Sequence, residues 1–139
     1  MLIVVLAVVL FTRGAANSPN ATQPAHLPFG ATEQAYAPQI HFSDLKLSHS
    51  TNMANQELIY VVGTVANAGA RAVQGIEVTV EFKDAIQQLV LRDSAPLFPQ
   101  GAEPLAAGAS RSFQLIFEHV PPSWNHEAPS IRVTGLALK

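Results

Sequence analysis

Cysteine is absent from the sequence, and charge is scarce: Asp, Glu, Lys and Arg make up 13% of the 139 residues, about half the usual share. No cysteine means no disulfide and no thiolate metal centre, and it leaves the compartment open. The eight Lys and Arg residues are scattered and set against ten Asp and Glu, for a net charge of −2. A polyanion is held by several cations on one face that displace condensed counterions, so nucleic acid is not an expected partner. Glycines occur singly, which rules out a phosphate-cradling loop. No Gly-x-Ser-x-Gly occurs, and no Ser, His and Asp fall in an order that the turns would bring together. So thin a charge leaves two readings of the surface. Either part of it is covered by lipid or partner chains, or it is solvated by Ser, Gln and Asn.

Apolar residues, by contrast, reach 48% and are unevenly spread. Met1 to Phe11 (MLIVVLAVVLF) is wholly apolar and is followed by Thr12 and Arg13. As a helix it would rise only ~17 Å, against a hydrocarbon core of ~30 Å. Its length matches the apolar region of a signal peptide, and Gly14-Ala15-Ala16 offers small residues for cleavage, but no basic segment precedes it. The favoured reading is an uncleaved anchor over residues 1–13, or a short helix wedged among membrane subunits, with Arg13 snorkelling to the interface. One charge is too little to fix orientation. Residues 14–38 contain Pro19, Pro24, Pro28 and Pro38. Proline fixes φ and removes a donor, so an extended linker without helix or sheet is expected. Asn20-Ala21-Thr22 forms a glycosylation sequon that is taken as chance.

From Ile40 the pattern has period two. Ile76 to Lys83 (IEVTVEFK) alternates apolar with charged or Thr residues, the mark of a strand with one face on a core and one in water. Val78, Val80, Phe82, Leu115 and Phe117 are therefore expected in the core, with Glu77, Thr79 and Glu81 exposed. Leu58–Ala66 reads as a central strand, the Phe113 segment as another, and Ile40–Ser48, Gln88–Leu91 and Ile131–Leu138 as weaker ones. Asn67-Ala68-Gly69-Ala70 supplies residues that tolerate positive φ for a turn, while His119–Pro129 has room for a short helical turn. Short strands at this spacing predict an all-β, Ig-like Greek-key antiparallel β-sandwich of six or seven strands over residues 39–139, preceded by the hydrophobic helix.

Three stretches carry a family resemblance. Gly63-Thr64-Val65-Ala66-Asn67-Ala68-Gly69 fits a G-x-V-x-N-x-G strand and turn, and continues into Val73–Asp84. Leu105 to Phe113 fits L-x-x-G-x-S-x-x-F, and Phe117–Asn125 (FEHVPPSWN) is the most specific. Together they resemble a bacterial family of membrane-tethered Ig-like, FxLYD-like sandwich domains of unknown function. The resemblance implies an envelope-facing sandwich, on the periplasmic or extracytoplasmic side, and no functional residues to transfer.

The polar residues give little chemistry. His41 and His49 flank the first strand and His119 and His126 share one connection; metal sites need three or four converging ligands, so no metal, and likewise no cofactor, is expected. Glu77 and Glu81 are ~13 Å apart on a strand, too far for a glycosidase pair, and with Lys83 they read as a solvated face. Trp124, the single tryptophan, either plugs the open end of the sandwich or stands exposed as an anchor for a partner protein or sugar. Trp124, His119 and Arg13 are thus the residues to consider for partner contact. The expected function is non-enzymatic: a membrane-tethered accessory subunit that docks on a larger bacterial membrane complex, photosynthetic or respiratory for example. Its partners would be other membrane subunits and, through residues 1–13, lipid, joined by strand addition or face packing, with no small-molecule substrate evident. The alternative is a free-standing envelope module that binds a carbohydrate or peptide.

Overall fold

The structure, a computed structural model, describes residues 26–139; the anchor of residues 1–13 with Arg13, and the linker to residue 25, lie outside the described residues. A short helix α1 (Ala31–Tyr36) and a 3-10 turn (Ala37–Gln39) precede six strands. These are β1 (Ile40–Thr51), β2 (Glu57–Asn67), β3 (Val73–Lys83), β4 (Leu89–Pro96), β5 (Ser110–Phe117) and β6 (Ser130–Leu138). All pairings are antiparallel, in two sheets of order β1-β2-β5 and β4-β3-β6. The chain changes sheet after β2, β4 and β5, which gives the Greek-key connectivity expected of an all-β sandwich.

The alternation of the strands fills the space between the sheets. Ile59, Val61 and Val65 of β2 face Val78, Val80 and Phe82 of β3, with Phe113, Leu115 and Phe117 of β5 closing the layer, and all are buried. Phe82 meets Phe117 edge-on at 5.1 Å and Trp124 at 5.4 Å between ring centroids, a favoured aromatic geometry.

Four expectations are corrected. Glu77 and Thr79 are buried rather than exposed, because β3 is the central strand of its sheet and side chains from β4, β6 and the N-terminal segment close over its outer face. Residues 26–39 are not a free extended linker. Between Pro28 and Pro38 there is room for six helical residues, started where the Gly30 N–H donates to Glu33 Oε1 at 2.8 Å, a contact that satisfies one orphan donor of the first turn. The turn after β2 closes without positive φ at Asn67 or Gly69. Asn67 is instead buried, and its side chain holds the turn: Nδ2 donates to the carbonyls of Arg71 (2.7 Å) and Leu105 (3.1 Å), and Oδ1 accepts from the Tyr36 hydroxyl (2.7 Å). The His119–Pro129 connection forms a turn at Pro122-Ser123 rather than a helix, and Trp124 then bridges to Asp84.

Candidate interaction surface

On the outer face of β4-β3-β6 the central strand β3 is covered at Glu77 and Thr79. The segment His26–Phe29 crosses it as a strap: Leu27 N–H donates to Glu77 Oε1 at 2.8 Å, His26 Nδ1 pairs with the other oxygen of Glu77, and Leu136 N–H donates to the Pro28 carbonyl at 2.9 Å. Leu27 sits in a dent left by Gly75 and Gly135. A Cβ at Gly135 would lie 2.9 Å from Leu27 Cβ and 3.0 Å from its carbonyl oxygen, closer than packed atoms allow. Further along β3, the Thr79 hydroxyl lies 2.9 Å from those of both Ser94 and Thr134. Glu81 accepts from Arg92 Nε at 2.6 Å and from Arg132 at 3.3 Å. The Arg92 hydrogen bond, aided by the charges of both arginines and opposed by burial, holds the Glu81 carboxyl below the usual carboxylate range.

The outer face of β1-β2-β5 has the opposite character. Inward positions of β2 are Ile59, Val61 and Val65, so the alternate residues point out, and the register sets the rows they form. From one end these are Ser48, Tyr60 and Ile116; Lys46, Val62 and Gln114; Ser43, Thr64 and Ser112; and His41, Ala66 and Ser110. Ile116 is 52% exposed, and Leu45, in the β1 bulge beside this face, is 38% exposed. In these rows Lys46 is the one permanently charged residue. A shallow concavity lined by Asp44 of the β1 bulge, Lys46, Val62, Thr64 and Gln114 marks the centre of the face.

The residues singled out by sequence do not converge. Trp124 is buried, stacked edge-on against Phe82, with its indole N–H donating to the Glu127 carbonyl at 3.1 Å. It plugs the sandwich and offers no ring to a partner. His119 is exposed in the connection after β5, remote in role from any cluster, and Arg13 lies outside the described residues. His26 meets Glu77, His49 lies 3.6 Å from Glu57, and His126 packs on Trp124. Among the described residues no three His, Asp or Glu side chains are grouped to hold a metal ion.

Sequence reading missed the strap. Its signal was present: single glycines inside strand patterns, at Gly75 and Gly135, mark a close approach of other chain. Among the described residues no helix is long and apolar enough to cross a membrane. No curated protein and no solved structure gives a significant match to the chain. A family model described as a protein of unknown function (DUF2393) matches residues 1–134, nearly the whole length, and the chain belongs to that family.

Proposed function

We propose that this protein is a non-catalytic, membrane-tethered accessory subunit, and that the outer face of its β1-β2-β5 sheet docks on another protein of a larger membrane complex. One observation carries the reading: this face is built of Ser, Thr, Gln and aliphatic side chains around an exposed Ile116, with Lys46 and, in the β1 bulge, Asp44 as its few fixed charges. The cores of protein interfaces are depleted of charge and hold aliphatic or aromatic anchors. The partner face would be similarly sparse in charge, and the Met1–Phe11 apolar run supports placing the pair at a membrane. A carbohydrate-binding module would need exposed aromatic rings for stacking, and the outward aromatic of these rows is Tyr60, half-covered and bonded to Ser50.

Site-specific photocrosslinking in native membranes tests this. A photoreactive residue at Ile116 or Gln114 should give one discrete protein adduct, and one at Arg92 or Ser94, on the opposite face, should give none. Tyr60→Glu, which sets a charge in the middle of the face, should abolish the Gln114 adduct while leaving the domain folded. Adducts from the Arg92 side alone, or none from either side, would refute the docking face.

A further inference from the structure

The two β-hairpins end at the same end of the sandwich, and their tips are built alike. The β1-β2 tip is Asn52-Met53-Ala54-Asn55-Gln56, and the β3-β4 tip is Asp84-Ala85-Ile86-Gln87-Gln88. In each, the first residue's side-chain Oδ1 accepts from the N–H groups two and four residues on: Ala54 and Gln56 in one, Ile86 and Gln88 in the other. The fourth residue sits at positive φ, Asn55 at 62° and Gln87 at 66°, the left-handed position that a type I turn with a bulge requires. Backbone bonds close both loops in the same pattern, Asn52 with Gln56 and Asp84 with Gln88, at 2.9 Å each. Each loop carries one large apolar side chain held out into solvent: Met53 fully exposed, and Ile86 73% exposed.

The geometry points to these tips as a pair of prongs that rest in the surface of a lipid bilayer, a proposal that rests on the membrane tethering above and adds how the domain stands on the membrane. Three features favour lipid. The one charged side chain of the two tips, Asp84, has its Oδ1 bonded to the N–H groups of Ile86 and Gln88. Within each loop four N–H groups are already bonded to the loop itself, so shallow entry into an apolar medium strands few donors. The third is the direction of the chain. The strap passes Glu77 and Gly135 at Leu27, Leu136 at Pro28, and Asn67 at Tyr36. It thus travels away from the hairpin end, and at His26 the chain points back towards the tips. From Glu77 to Asp84 is about 23 Å along the strand at ~3.3 Å per residue. The twelve residues 14–25 can extend to about 37 Å at ~3.1 Å each, enough to bring the Met1–Phe11 run level with the tips. One apolar element gives marginal attachment and two give stable attachment; here the run and the prongs would be those two.

Full-length protein reconstituted in vesicles of phosphatidylethanolamine and phosphatidylglycerol tests the proposal, with brominated acyl chains as quencher. Tryptophan is introduced singly by Met53→Trp, Ile86→Trp or Ile116→Trp, and the signal of the buried Trp124 in the parent chain is subtracted. All three positions are exposed, so folding is preserved. The two tip variants should lose about half their added fluorescence in brominated lipid, since interfacial side chains sit roughly 5–10 Å into the headgroup boundary, and Ile116→Trp should lose none. Protein that sediments with the vesicles but shows unquenched tips overturns the prongs alone and hands the tips to water or a protein. Quenching at Ile116→Trp without the tips overturns the prongs and the protein-docking face together. Protein that does not sediment overturns both the prongs and the tether.

Discussion

The two sheets of this sandwich share a core and differ on their outer faces. On β4-β3-β6 the outward polar groups of β3 are bonded by their neighbours: Glu81 by Arg92 and Arg132, Glu77 by His26 and the Leu27 amide, with Thr79 bonded on both sides. On β1-β2-β5 the rows carry Lys46, with Asp44 beside it in the β1 bulge, and are otherwise Ser, Thr, Gln, His41, Tyr60 and aliphatic residues. Satisfied polar groups under a strap make a face whose interactions are already made within the chain. A face sparse in charge with an exposed Ile116 leaves apolar surface to be covered by something else. The contrast shows that polarity in the sequence is a poor guide to exposure in a sandwich. The charged alternation of β3 ends up covered, fully at Glu77 and Thr79 and partly at Glu81, and the blander alternation of β2 and β5 ends up more open.

Matched substitutions sharpen this contrast. The largest effect is expected between core and open face. Phe82→Ala should lower the unfolding free energy in urea by ~3–5 kcal/mol, the usual cost of emptying an aromatic site. Ile116→Ala, on the open face, should stay within about 0.5 kcal/mol of the parent. If Ile116→Ala proves as costly as Phe82→Ala, the face is not open.

A second pair makes the same chemical change on the two outer faces. Thr79→Val removes a buried hydroxyl bonded to both Ser94 and Thr134, and should cost about 1–2 kcal/mol as that hydrogen-bonding group is lost. Thr64→Val, half-exposed on the open face, should be neutral to within about 0.5 kcal/mol. Equal costs would remove the distinction between the faces.

The smallest effect is electrostatic. The folded Glu81 carboxyl titrates below its ordinary value, so its pairing stabilises the fold above that ordinary value and is lost as pH falls through the lower, folded one. The parent should therefore lose more stability than Arg92→Met between pH 6 and pH 3, read as the difference in Tm. Glu81 is close to solvent, and added salt should shrink the gap. A gap that grows on acidification would reverse the sign of the coupling.

Much of the fold could be read from period two. Ile76–Lys83 predicted the centre of β3 and its inward residues Val78, Val80 and Phe82, and Leu58–Ala66 predicted β2 to within one residue at each end. The Trp124 plug was one of two readings, and burial against Phe82 decides between them. The strap was not read, because the two prolines hid a helix too short to leave a 3.6-residue pattern. Its footing, too, consists of glycines, whose meaning depends on what lies above them. Lys83-Asp84-Ala85 marks the end of β3, but the matching build of the two hairpin tips was not legible, since each depends on an Asn or Asp side chain bonding forward, with Asn and Gln rather than glycine at positive φ.

The sequence by itself determined which residues could share a core, because side chains on a strand alternate faces and apolar area must leave water. It also excluded disulfides and thiolate centres, which cannot form without cysteine. Tertiary structure alone decided which polar face was covered. That outcome depends on strand order across the sheet: β3 became central, between β4 and β6, and so had arginines and hydroxyls from both neighbours within reach of its outward side chains. Pairing over such sequence separations leaves no trace in any local window. For the same reason only the fold could reveal that both hairpin tips meet at one end, and that the chain enters the domain from their direction.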